Sequence, residues 1–171
     1  VTITDNNIVI VGTDILAEYL DEIGVGKKLM GNNIEMRLEI RRIHRWFATK
    51  FNTEVTKNIL FERVFKRLEG LGEPSSNSLR AGRLNLLNHL NYIEYILKKN
   101  TWLAGEEMTL ADLTAAGYVS SIDYLGEVPW GNYTFIKEWY AGIKSRPSFR
   151  LILREVVAGI PPSTNYTNLD F

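Results

Sequence analysis

Few side chains in this sequence are spaced for chemistry. None of its 171 residues is cysteine, which excludes disulfides, thiolate metal sites and cysteine nucleophiles within it. That composition suits a reducing compartment. His44 and His89 have no second ligand at metal spacing, so both read as ordinary helix residues and no metal is expected. Arg37, Arg41 and Arg45 recur every fourth position and share one helix face. Thr109 and Asp112, three apart ahead of an apolar run, form a capping box with Asp in place of the usual Glu or Gln. That work is structural, worth roughly 0.5–2 kcal/mol. Thr13 or Asp14, after Gly12, can cap a further helix. No set of residues reads as catalytic.

The arginine stripe lies in a biased region. Residues 34–67 carry nine Lys or Arg against four acids, and residues 104–127 carry five acids and no base. Two accounts stay open: mutual compensation or solvated faces, and an acidic partner on the Arg37–Arg41–Arg45 face. Over the whole chain the formal net charge is zero, which gives no general attraction to nucleic acid or membrane. No apolar run is long enough to span a bilayer. Asn132-Tyr133-Thr134 and Asn165-Tyr166-Thr167 match the glycosylation sequon, and both are taken as chance.

The elements that must position these residues are mostly helices. Val1–Thr4 and Ile8–Val11 are short β-branched runs around the turn residues Asp5-Asn6-Asn7, a hairpin pattern. A helix follows to about Glu22, then a Gly/Asn-rich linker. Ile34, Leu38, Ile43, Trp46, Phe47 and Phe51 fit one amphipathic helix, and Ile59, Leu60, Val64, Phe65 and Leu68 a second. Ser75 or Ser78 starts a third, with Leu84, Leu87, Leu90, Ile93, Tyr95 and Ile96 inward. The capped helix from Leu110 is fourth. Its Ala111, Ala115, Ala116 and Gly117 allow close contact, so a central position is expected. Phe135, Trp139, Tyr140 and Ile143 mark a fifth. Pro147 suits the first turn of a sixth, to about Glu155. The last sixteen residues lack helical period.

Trp102-Leu103-Ala104-Gly105 followed by Thr109-Leu110-Ala111-Asp112, after the order strand, strand, helix, linker and bundle, resembles the glutathione S-transferases. Gly12 to Leu20 is similar to that family's segment around a conserved-type Ser and Tyr-Leu pair. The resemblance implies a mainly α chain. A transferase-like helical domain (33–155) would follow the last hairpin and helix of a thioredoxin-like domain (1–22) and a linker (23–32), with a tail (156–171) behind. It also implies that the first strand, the cis-proline loop and the family's catalytic Ser, Tyr or Cys precede Val1. If glutathione is still bound, the resemblance puts Thr13 and Asp14 at its carboxylate; otherwise no cofactor is expected.

A narrower resemblance rests on Ser121 to Trp130, on Lys144-Ser145-Arg146-Pro147-Ser148-Phe149-Arg150, on Pro161-Pro162, and on the ending Asn165-Tyr166-Thr167-Asn168-Leu169-Asp170-Phe171. These resemble the FtsZ-localised protein A group, transferase-like division proteins of alphaproteobacteria. Thr167 and Asn168 stand where that group has Ala and Asp. The resemblance implies a cytoplasmic, non-catalytic dimer at the division site. It would bind FtsZ and signal to septal wall synthesis through its tail, without nucleic acid or membrane insertion. The other expectation is a transferase fragment that conjugates glutathione to electrophiles. Composition alone lets Tyr166, Leu169, Asp170 and Phe171 dock on their own domain or in a partner groove; the resemblance assigns them to a partner.

Overall fold

No glycine or proline occurs between Ile34 and Glu69, and the chain there forms one uninterrupted helical rod. The computed structural model describes residues 2–5, 8–24 and 27–169. The rod comprises α2 (Ile34–Trp46), a π-helical segment (Phe47–Phe65) and α3 (Lys66–Leu68). Two separate helices were expected; nothing in this stretch breaks the first, so they are continuous. Asn33 caps the start, its side chain accepting from the Met36 amide at 2.8 Å.

The inward face of this rod matches the expected one at Ile43, Phe47, Phe51, Ile59 and Val64 and departs from it at Ile34, Leu38, Phe65 and Leu68. Ile40, Ile43, Phe47, Phe51, Val55 and Ile59 are completely buried, whereas Ile34 and Leu38 are 81% and 70% exposed. Leu38 lies two residues before Ile40, which puts it on roughly the opposite side of an α-helix. From Phe47 to Ile59 the buried positions repeat every four residues, wider than the 3.6 of an α-helix, and Glu62 and Val64 are buried beyond them. Phe65, next to the buried Val64, and Leu68 face outward.

Ser75 starts α4 (Ser76–Leu97), its hydroxyl accepting from the Ser78 amide at 3.3 Å. The helix packs along the rod through Gly82. A Cβ at Gly82 would lie 2.7 Å from Ile59 Cγ1 and 2.9 Å from Asn58 Cβ, so only glycine allows this approach. Once Gly82 is at the crossing, Leu86, His89, Leu90, Ile93 and Leu97 turn inward. Leu84, Leu87 and Tyr95, expected inside, are exposed. The helix carries two apolar stripes, and the close crossing selects one.

Helix α5 (Leu110–Tyr124) is central, packed on the rod, on α6 (Phe135–Lys144) and on α8 (Thr164–Thr167). Ala111, Ala115 and Ala116 are fully buried. Gly117 is exposed, with nothing within 4 Å of its would-be Cβ, so it makes no close helix contact. Pro147 does occupy the first turn of α7, but that helix spans only Pro147–Arg150 and gives way to a 3-10 turn at Ile152–Arg154.

At the other end, β1 (Thr2–Asp5) and β2 (Ile8–Val11) pair antiparallel, Asp5 opposite Ile8. Asn6 and Asn7 of the expected turn lie outside the described residues. Helix α1 (Thr13–Ile23) follows. Its last carbonyls are gathered by Lys28, which donates to Asp21, to Glu22 at 3.2 Å and to Gly24 at 2.9 Å. The Leu29 carbonyl accepts from the Leu110 amide at 3.0 Å, which ties the connecting segment to the start of α5.

Candidate functional site

The first candidate region is the start of α1. Gly12 has φ of 108° and occupies the N-cap position. A Cβ there would lie 2.9 Å from Asp14 Oδ1, so glycine suits it on both counts. Neither Thr13 nor Asp14 caps the helix: Thr13 is its first residue, and no side chain bonds the helix start. Thr13 nevertheless lines a cleft of about 520 Å³ between α1, the rod and α5, with His44, Thr56, Leu113 and Tyr118; Asp14 is not among the lining residues. His44 Nδ1 and Thr114 Oγ1 are 2.8 Å apart at this cleft. Thr56 Oγ1 is buried without a hydrogen-bond partner among the described residues. The lining is otherwise mostly apolar, which suits an apolar group with few polar contacts.

The arginine stripe is largely engaged within the chain. Arg37 Nε donates to the Gly31 carbonyl at 3.2 Å. Arg41 forks onto both Glu18 oxygens at 2.8 and 2.9 Å, joining α1 to the rod. These hydrogen bonds hold the Glu18 carboxyl below its usual range. Arg45 borders a groove with Arg42, Trp46, His89 and Tyr92. In that groove the His89 imidazole is pushed to lower pKa by burial, opposed by its 2.9 Å contact to Glu54.

The basic and acidic stretches meet where Arg63 pairs with Glu127, which Arg83 of α4 also binds. Its oxygens accept from Arg63 at 2.7 Å and from Arg83 at 2.7 and 2.8 Å. Burial raises its carboxyl pKa, but the two guanidinium groups outweigh that and leave it lowered. Both arginines lie more than forty positions from Glu127, so no local pattern could have picked out the cluster.

Asp112 does more than close its capping box. Its carboxylate accepts from the Leu103 amide at 2.9 Å, the Thr109 amide at 2.8 Å, the Thr109 hydroxyl at 3.0 Å and the Trp139 indole at 3.0 Å. Burial raises its pKa, against these four donors. At the far end of α5, Asp123 takes the Trp130 indole at 2.8 Å. Burial likewise raises its pKa.

The tail is where sequence expectation changes most. Tyr166, expected to meet a partner, is only 3% exposed and packs edge-on against Tyr124 at 5.0 Å. Its hydroxyl donates to the Ile152 carbonyl at 3.3 Å. Ser163 binds the end of α5 through its amide to Tyr124 O at 2.8 Å and its hydroxyl to Asp123 O at 2.6 Å. The segment expected to lack helix forms α8, capped by Ser163. Apolar contact plus backbone pairing selects docking on the chain's own domain. Leu169 is half-buried; Asp170 and Phe171 lie outside the described residues. Lys144, quoted above only as part of the Lys144–Arg150 segment, is fully buried beneath this tail.

No described helix is long and apolar enough to cross a membrane. Among the described residues no group of three or more His, Asp or Glu could hold a metal.

A short hairpin and helix ahead of a bundle whose central helix starts on a buried capping box define a glutathione-transferase-type helical protein. Residues 59–147 match the glutathione S-transferase C-terminal domain. FtsZ-localized protein A of Caulobacter vibrioides is 43% identical over 165 residues, 96% of this chain and 72% of that protein. The solved FzlA from C. crescentus superposes with a TM-score of 0.94 at 41% identity, over 99% of this chain and 76% of that one. A structure described as a glutathione S-transferase from Rhodospirillum rubrum F11 gives 0.95 at 43% identity, covering 99% and 77%. The chain therefore belongs to the glutathione S-transferase family, and within it to the FtsZ-localised protein A group.

Proposed function

We propose that this chain is a non-catalytic division protein that binds FtsZ as a homodimer in the cytoplasm, at the division site, and couples it to septal wall synthesis through its C-terminal end. The observation that supports this reading is the 43% identity over 165 residues to a protein named for its localisation with FtsZ. In this reading the hairpin and α1 are the closing part of a thioredoxin-like half, residues 23–32 a linker, 33–155 the helical domain and 156–171 the tail. The test is co-sedimentation of the chain with GTP-assembled FtsZ filaments. The expected result is enrichment in the filament pellet. Equal amounts with and without FtsZ would overturn the reading.

A second reading, a glutathione transferase, is favoured by one observation: Thr13 lines a mostly apolar cleft at the start of α1. Turnover of glutathione with an electrophile such as a chloronitrobenzene would support it, and Thr13→Val should then raise the KM for glutathione. Absence of turnover in a protein that sediments with FtsZ would leave the first reading standing alone.

A further inference from the structure

The groove bordered by Arg45 lies between the rod and α4. It holds about 780 Å³ and shares no lining residue with the cleft at the start of α1. Its walls are fixed within the chain. Asn85 of α4 donates to the Glu54 carbonyl of the rod at 3.2 Å, and the Glu54 carboxylate holds both Lys50 and the His89 imidazole. Trp46 is the aromatic centre. Tyr92 meets it edge-on with ring centres 4.8 Å apart, and the buried His89 ring is 5.0 Å away. These bonds form the site before anything binds, which lowers the ordering cost of receiving a partner.

The charge of the groove is one-sided. Arg42, Arg45 and Lys50 line it, and Glu54 is the single acid among the described lining residues. Glu54 is already engaged by Lys50 and His89. Arg42 forks onto Glu39, which does not line the groove. That pair is exposed, and such pairs contribute little in water, so Arg42 is free to turn to a better-placed carboxylate. The Arg45 side chain makes no ion pair or hydrogen bond among the described residues. Arg37 and Arg41, on the same stripe, are held by Gly31 and Glu18, so Arg45 is the stripe's open member. Arginine, tryptophan and tyrosine are the residue types that dominate binding energy at protein interfaces, and all three meet in this groove.

We propose that this groove is a docking site for an acidic peptide segment that carries an aromatic side chain. Its carboxylates pair with Arg45 and Arg42, and its ring packs on Trp46 and Tyr92. This rests on the reading that the chain binds FtsZ, and it assigns that contact to the Arg42–Arg45 side of the rod instead of the whole arginine stripe. Clustered arginines select acidic segments by charge. The aromatic pair adds a preference that charge alone does not give, because rings meet favourably edge-to-face or offset.

The test uses the full chain, with a random copolymer of glutamate and tyrosine as the first probe, read by isothermal titration calorimetry. The parent should bind it at least tenfold more tightly than polyglutamate of the same length. Arg45→Glu changes an exposed side chain; it should weaken binding at least tenfold at an unchanged melting temperature. Tyr92→Ser should remove the preference for tyrosine over plain polyglutamate. Arg80→Glu, exposed on α4 outside the groove, is the control and should bind as the parent does. Unchanged binding in Arg45→Glu, or an equal loss in Arg80→Glu, would overturn the proposal. So would a fall in molar mass of Arg45→Glu by sedimentation equilibrium, because the groove would then seat a second copy of the chain. Co-sedimentation with FtsZ filaments separates the two levels. Arg45→Glu should lower it at least tenfold, and full sedimentation of that variant would overturn the assignment. If the parent itself fails to sediment, the functional reading falls, while the copolymer still decides whether the groove takes an acidic aromatic segment.

Discussion

The indole Nε1 of Trp139 donates to Oδ1 of Asp112 across 3.0 Å, linking α6 to the first turn of α5. The same oxygen accepts from the Leu103 amide, so one buried carboxylate fastens a helix start, a preceding turn and a neighbouring helix. Four donors converge on a group with no exposure.

Replacing that carboxylate should therefore unsettle three elements together. Asp112→Ala leaves the Leu103, Thr109 and Trp139 donors without their acceptor. Each buried unsatisfied donor costs about 1–3 kcal/mol, so the loss should exceed that of an ordinary cap residue. Trp139→Phe removes one donor and should be milder, near the low end of roughly 1–3 kcal/mol. Urea unfolding of the two variants against the parent measures both; equal midpoints for all three proteins would refute the proposed junction.

Gly82 should resist enlargement. A Cβ there meets Ile59 at 2.7 Å and Asn58 at 2.9 Å, so Gly82→Leu must push α4 away from the rod. Overpacking of this kind costs roughly 1–3 kcal/mol, although leucine favours helix over glycine. A thermal midpoint that falls in Gly82→Leu but holds in a control such as Gly142→Ala, where nothing lies within 4 Å, is the expected pattern.

Acid sensitivity should involve Glu127. Its folded pKa lies below the ordinary 4.5 because Arg83 and Arg63 outweigh burial. A lowered carboxyl pKa means the unfolded chain binds more protons as pH falls past the ordinary value. The stabilisation is thus fully present above about pH 4.5, and is lost as pH drops through the folded pKa. Glu127→Gln should be less stable than the parent at pH 7, and the gap should narrow below pH 4.5. A gap that stays constant from pH 7 to pH 3 would speak against the Arg63–Glu127–Arg83 arrangement.

The arginine face gives a prediction that separates stability from recognition. Arg41→Ala breaks an exposed ion pair with Glu18, and such pairs contribute little to stability in water. Its melting curve should barely move. If an acidic surface of FtsZ uses this face, the triple change of Arg37, Arg41 and Arg45 to Glu should lower filament co-sedimentation at least tenfold. Unchanged sedimentation in a folded triple variant would remove the face from consideration.

How much of this protein is legible along the chain depends on how local the determinant is. Thr109, Asp112, Ser75 and Pro147 act within a turn of themselves, and their helices start where residue type predicts. The hairpin and the mainly helical class follow from β-branched runs and apolar periodicity for the same reason. The Trp-Leu-Ala-Gly turn and the capped helix behind it point to the transferase-type bundle.

Tertiary structure decided what local rules leave degenerate. Helix α4 carries two apolar stripes, and only the approach of Gly82 to Asn58 and Ile59 turned Leu86 inward and Leu84 outward. Gly12 took the cap position that Thr13 or Asp14 could have filled. The terminal Tyr166 had two possible destinations of similar chemistry. Ser163, Tyr124 and Lys144, brought together from distant parts of the chain, settled it on its own domain. Such choices depend on which groups lie nearby in space, and spacing along the chain does not encode that. The sequence alone thus determined the mainly helical class, the starts set by Ser75, Thr109 and Pro147, and the family, because those signals act within a few residues. The inward faces and the docked tail came only from packing.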